Sequence, residues 1–87
     1  MRYIEVERVD KTYNRVEYEQ YCFPDSMTDD DIACDDLLIE DFEEFVNDIP
    51  VDVIKADGYN VDDYIDNCGW WFYEIDPEAY ENGFEEA

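Results

Sequence analysis

The chain reads as an α+β domain, a three-stranded antiparallel sheet in the sequence order ββααβ with two or three short helices packed on one face. Three observations predict it. Residues 2–9 (RYIEVERV) and 14–23 (NRVEYEQYCF) alternate in character with period two. Residues 28–49 repeat their apolar positions at helical spacing. Residues 70–75 (WWFYEI) form the most apolar run in the chain. Strands broken by helical segments and returning as one strand fit a sheet with helices on one side.

The first two elements are a hairpin. Ile4, Val6 and Arg8 share one face of the first strand, opposite Tyr3, Glu5 and Glu7. On the second strand, Val16 and Tyr18 oppose Glu17 and Glu19. Alternation on both sides of the polar DKTYN segment is the pattern of an antiparallel pair. Pro24 ends it.

The next stretch, TDDDIACDDLLIEDFEEFVND, holds ten carboxylates and no base. Cys34, Leu38, Phe42, Phe45 and Ile49 fall on one stripe at about 100° per residue, with Val46 beside them. Asp36, Glu40, Glu43, Glu44 and Asn47 lie opposite. A single helix begun at Thr28 would place Asp31 and Asp35 on the apolar side, so either the helix begins later, near Asp35, or a bend separates DDDIACD from LLIEDFEEFVND; the bend is favoured. Thr28 or Ser26 can cap the first piece, where aspartates suit the positive end of the dipole. Glu43, Glu44 and Asp48 oppose the dipole at the far end, so local energetics do not explain them. Pro50 stops the helix.

Residues 51–58 (VDVIKADG) fit either a short strand or a helical turn. Asn60 is an N-cap candidate for VDDYIDNC, with Val61, Tyr64, Ile65 and Cys68 on one face and Gly69 as the C′ residue. The bulk of WWFYEI favours a strand paired with the hairpin, and one of Trp70, Trp71 or Tyr73 is a candidate exposed anchor. Asp76-Pro77 ends that strand, leaving a last helical turn and a tail expected to be flexible at 84–87.

Eighty-seven residues are one domain's worth of chain. An aromatic content of 17% argues against disorder despite the charge. That charge is extreme: 27 acids against five bases give a net of −22. From Val16 to Ile54 there are fourteen acids and no base. An ordinary solvated helix face intersperses lysine and arginine to relieve repulsion, and this one does not. Such a field excludes direct binding to nucleic acid or to an anionic membrane, and attracts basic partners. Cys22, Cys34 and Cys68 are odd in number and form no CxxC pair, which suggests reduced thiols and a cytoplasmic setting. Met1 leads directly into a charged segment, so no secretory leader is expected, and no apolar run nears the roughly 18 residues of a membrane span.

Catalytic groups are scarce. The chain has no histidine and no glycine-rich phosphate loop, and an enzyme is not expected. Calcium is the main chemical alternative, since hard cations take oxygen ligands. However, Asp10 to Asn14 lacks the EF-hand glycine, and the twelfth position from Asp57 is Cys68 rather than glutamate. No metal or other cofactor is expected. Adaptation to high salt is a further explanation for the charge, and the bulky aromatics and low alanine content count against it.

Carboxylate spacing supplies a functional reading. Residues i, i+2 on a strand sit about 7 Å apart, as for Glu5/Glu7 and Glu17/Glu19. Residues i, i+4 on a helix sit about 6 Å apart along the axis, as for Asp36/Glu40/Glu44 and Asp31/Asp35. Phosphates along a DNA strand have a similar separation. In size, acidity, aromatic content and lack of catalytic groups, the whole chain resembles the small, very acidic phage-encoded inhibitors that mimic DNA. These include anti-restriction proteins, uracil-DNA glycosylase inhibitors and many anti-CRISPR proteins. The resemblance rests on no motif, so no residue roles carry over from it. It implies a protein acting in the cytoplasm of an infected bacterium, as monomer or homodimer, on a basic nucleic-acid-binding protein or a CRISPR or restriction complex.

The spacing argument itself names the partner-binding acids: Asp29, Asp30, Asp31, Asp35, Asp36, Glu40, Glu43, Glu44 and Asp48, with Asp62, Asp63 and Asp66 as a second patch. The alternative is an acidic adaptor or antitoxin-like module that binds a basic partner without mimicking nucleic acid.

Overall fold

A computed structural model describes residues 1–79; the tail expected at 84–87 lies outside them. Strands β1 (Arg2–Asp10) and β2 (Arg15–Phe23) form the hairpin, and β3 (Cys68–Glu74) pairs antiparallel with the other edge of β1. The strand order is therefore β2-β1-β3. Between β2 and β3 run α1 (Asp29–Ala33), α2 (Asp36–Asn47), α3 (Val51–Ala56) and α4 (Val61–Asp66), and a 3-10 turn (Pro77–Ala79) follows β3. The expected α+β sheet is present, with four helices rather than two or three. The extra elements arise where Asp35 and Pro50 each cap a new helix.

The hairpin turn is held from within. Asp10 Oδ1 accepts the backbone N–H groups of Thr12 (2.9 Å) and Tyr13 (3.2 Å), an Asx turn. Asn14 then takes φ 56°, a left-handed conformation that asparagine tolerates better than most residues.

Alternation sorts the sheet into two faces. Ile4, Val6, Arg8 and Asp10 of β1 are buried on the inner face, beside Tyr21 and Phe23 of β2 and the half-buried Trp70 and Phe72 of β3. Ile32 of α1 and Leu38 of α2 complete this core, with Met27 packed against it. Further along, Phe42 meets Trp70 with ring centroids 6.4 Å apart, and Phe45 lies under the Arg15 guanidinium at 4.3 Å. Thus α2 runs along the sheet from the level of Ile4 to that of Asp10.

The bend expected from the two misplaced aspartates is a full break. Thr28 and Asp31 form a capping box for α1: the Thr28 hydroxyl accepts from Asp31 N, and the Asp31 carboxylate accepts from Thr28 N. Asp35 caps α2 by accepting from Leu37 N at 3.0 Å. The break turns α1 relative to α2, which changes the stripe: Ile32 is buried and Cys34 is exposed.

Within residues 51–58, Val51–Ala56 form helix α3 and the rest is its closing turn. Gly58, at φ 86°, closes α3 with Tyr59 N donating to Ile54 O and Gly58 N to Lys55 O, a Schellman motif. That left-handed role had been expected at Gly69, which instead lies within β3 opposite Val9. Asn60 caps α4 as expected, accepting from Asp62 N and Asp63 N. Only Tyr64 of α4 is fully buried; Ile65, expected on the apolar face, is half exposed because the single short turn packs around Tyr64.

Candidate functional site

The arginines decide where the negative charge can act. All three are drawn into or along the inner side of the sheet. Arg2 bonds Asp29 (2.6 Å), Glu74 (3.0 Å) and Met27 O (2.8 Å), which ties the start of α1 to the end of β3. Arg8 is 1% exposed and faces Glu17 (3.0 Å), Glu19 (3.5 Å) and Asp41 (3.9 Å), with a further bond to the Tyr21 hydroxyl. Arg15 bonds the fully buried Asp10 (2.9 Å), Phe45 O (3.0 Å) and the Tyr64 hydroxyl (2.9 Å), and approaches Asp48 at 3.7 Å.

Glu17 and Glu19 therefore do not present a free strand pair, as their spacing suggested; they face inward as counter-ions of Arg8. Tyr21 is held between the Glu19 and Asp41 carboxylates, and burial first, then these two acceptors, raises its pKa well above the ordinary phenol value. Burial likewise pushes Tyr64 up to about 12 while its hydroxyl donates to Val46 O at 2.7 Å.

The outward-facing charge is mostly acidic, with Lys11 and Lys55 the exposed bases among the described residues. Asp36, Glu40, Glu43 and Glu44 are exposed on α2 and make no ion pair among the described residues. They form the continuous one-sided ridge that the periodicity predicts. Asp30, next to them in α1, is exposed as well, and so are Asp62, Asp63 and Asp66 on α4. The structure separates the other named acids from this ridge. Asp29 is paired with Arg2, Asp48 lies near Arg15, and Asp31 and Asp35 serve as caps on opposite sides of the helix break. Asp31 and Asp35 are thus not an i, i+4 pair on one helix.

A second surface was only partly legible. The outer sheet face, opposite α1 and α2, carries Tyr18 (58% exposed), Trp71 (49%) and Tyr73 (41%) around Glu5 and Glu7, and the 3-10 turn reaches it where Gln20 donates to Ala79 O at 3.1 Å. The Tyr18 hydroxyl donates to Glu7 at 2.7 Å, and that of Tyr73 donates to Glu5. These bonds raise both phenols, Tyr73 to about 12. Strand alternation could place Trp70 and Trp71 on opposite faces but could not say which face the helices would take.

Among the described residues no three His, Cys, Asp or Glu side chains converge as a metal-ligand set, and no helix is long and apolar enough to cross a membrane. Comparison with known proteins finds no matching family model, curated protein or solved structure.

Proposed function

We propose that this chain is a stoichiometric, non-enzymatic inhibitor that mimics DNA and occupies the nucleic-acid-binding groove of a host defence protein of the CRISPR or restriction kind. It would act in the cytoplasm of a bacterium. The observation that carries the reading is the partition of charge: every arginine is used against inward or edge carboxylates, while the α2 ridge keeps Asp36, Glu40, Glu43 and Glu44 unpaired. A ridge whose repulsion the fold leaves unrelieved is relieved by a basic partner.

The charge density supports the same reading. Residues 1–79 carry 24 acids against five bases, and the structure's longest dimension is 45 Å. B-form duplex places one charge per about 1.7 Å, or about 26 over that length. The excess of 19 over residues 1–79 is of the same order. A groove built to bind successive phosphates would therefore meet a comparable field.

The second reading, an acidic adaptor or antitoxin-like module, is favoured by the aromatic outer sheet face, which has no counterpart in a phosphate backbone. Competition separates the two. Immobilised full-length protein should capture a nucleic-acid-binding complex from bacterial lysate, and adding the protein should displace labelled DNA from that complex at near-equimolar ratio. Capture of a partner that keeps its DNA would refute mimicry and leave the adaptor.

A further inference from the structure

One phenol on the inner side of the sheet has more hydrogen-bond partners than its own proton can serve. The Tyr21 hydroxyl lies 2.5 Å from Glu19 Oε2 and 2.6 Å from Asp41 Oδ2, and it also accepts from Arg8 Nη2. A phenol has one proton to donate and can accept up to two bonds. That proton stays on the phenol, since burial and then the two acceptors raise its pKa. It serves one carboxylate, so the other contact becomes a hydrogen bond only when the second carboxyl brings a proton of its own. Arg8 does not fill the gap: Nη1 donates to Glu17, and Nη2 reaches Asp41 only at 3.9 Å. On the other flank, β3 lays the uncharged Trp70 and Phe72 beside Arg8 and Val6. The charged groups of the cluster among the described residues are therefore Arg8 from β1, Glu17 and Glu19 from β2, and Asp41 from α2. Fully ionised, they set one positive charge against three negative ones.

We infer that Tyr21, Glu19 and Asp41 form a proton-operated latch between the hairpin and α2. As pH falls, one of the two carboxyls takes up a proton and donates it to the phenol oxygen, while the phenol donates to the other. Both bonds are then complete, and one of two like charges held within about 5 Å of each other is removed. Glu19 is 39% exposed and Asp41 24%, so the proton exchanges with solvent although Arg8 is buried. When both carboxyls are ionised they repel across Tyr21, and α2 is held less firmly to β2. Asp41 lies on the inward side of the helix whose outward side carries Asp36, Glu40, Glu43 and Glu44, so the latch sets how firmly that ridge is held. In the unfolded chain the two carboxyls are apart and cannot share the proton. The folded state therefore binds it more tightly, and stability rises as pH falls toward the carboxyl range. The latch does not depend on what the ridge binds, and it is tested without any partner.

The test is a pH titration of the full chain with ¹³C-labelled carboxyl groups, followed by NMR, alongside urea unfolding at each pH. The Glu19 and Asp41 carbons should titrate as a coupled pair, each curve showing two steps. Asp41→Asn supplies an amide that donates to Tyr21 without a proton from solvent. It should leave Glu19 with a single step at lower pH and be at least as stable as wild type at neutral pH. Between about pH 7 and pH 5 the wild-type folding constant should gain about two- to tenfold more than that of the variant, within the limit of tenfold per pH unit for one proton. Tyr21→Phe keeps the ring and should shrink the coupling between the two carbons, which decides the matter even if Asp41→Asn fails to fold. Single-step, independent curves in the wild type, or coupling unchanged by Tyr21→Phe, would overturn the inference. So would an Asp41→Asn variant that is less stable at neutral pH with an unchanged pH dependence, since Asp41 would then serve only as a counter-ion to Arg8.

Discussion

Replacing Arg15 with Met should destabilise the protein more than any change on the acidic ridge. Arg15 is the ionic partner of Asp10, which is fully buried, and it also bonds Phe45 O and the Tyr64 hydroxyl. One side chain thus joins the hairpin to α2 and α4. Removing one member of a buried pair costs about 3–5 kcal/mol because the remaining charge is left uncompensated. Here the lower end, about 3 kcal/mol, is expected, since Asp10 keeps the Thr12 and Tyr13 N–H bonds. A chain of this size has roughly 4–13 kcal/mol in all. The melting temperature should therefore fall by about 12 °C or more, at about 4–8 °C per kcal/mol. Urea and thermal unfolding followed by circular dichroism would measure it. The Asp10→Asn/Arg15→Met double variant should recover about half the loss, because the neutral side chain still accepts the turn N–H groups. Added salt should rescue little of it, since buried pairs are weakly screened. A loss under about 1 kcal/mol, or full rescue by salt, would show that Arg15 matters only through net charge.

Reversing Asp36, Glu40 and Glu43 to Lys should raise the melting temperature at low salt and abolish DNA displacement from the captured partner; retained displacement would move the active surface elsewhere. Wild-type stability should rise with salt as self-repulsion is screened, and a melting curve indifferent to salt would remove that argument. Above pH 10 the protein should lose stability. Tyr64 and Tyr73, each near 12 when folded, bind protons that the unfolded chain releases near 10. Their contribution is complete below pH 10 and is lost as pH rises toward 12, and tyrosinate absorbance should appear together with unfolding. Thr28→Ala and Asp35→Ala should each cost about 1 kcal/mol by removing an N-cap, and loss of far-UV helical signal on heating would report it.

Much of the architecture was legible because it rests on short-range pattern. Period-two alternation marked the hairpin and put Ile4, Val6 and Arg8 on one face. The two aspartates that spoiled the helical stripe marked the break at residues 34–35, and Asn60 marked the start of α4. Errors occurred where an element turned after its local signal ended. Cys34 and Ile65 fit a continuous stripe, but short helices that start anew at Asp35 and end at Asp66 do not carry that stripe forward. Gly69 had the chemistry of a C′ residue, yet β3 begins one position earlier because the ladder with Val9 and Asp10 claims it.

The candidate site divides along the same line. Composition alone established that this chain carries far more negative charge than solubility needs, and periodicity alone placed Asp36, Glu40, Glu43 and Glu44 on one side of a helix. Which carboxylates are neutralised depends on contacts between residues distant in sequence: Arg2 with Glu74, Arg8 with Asp41, Arg15 with Tyr64. The same holds for the sheet. Alternation divides a strand into two faces with equal right. Only the packing of α1 and α2 over Ile4 and Val6 chose the inner one, and so left Tyr18, Trp71 and Tyr73 facing outward beside Glu5 and Glu7.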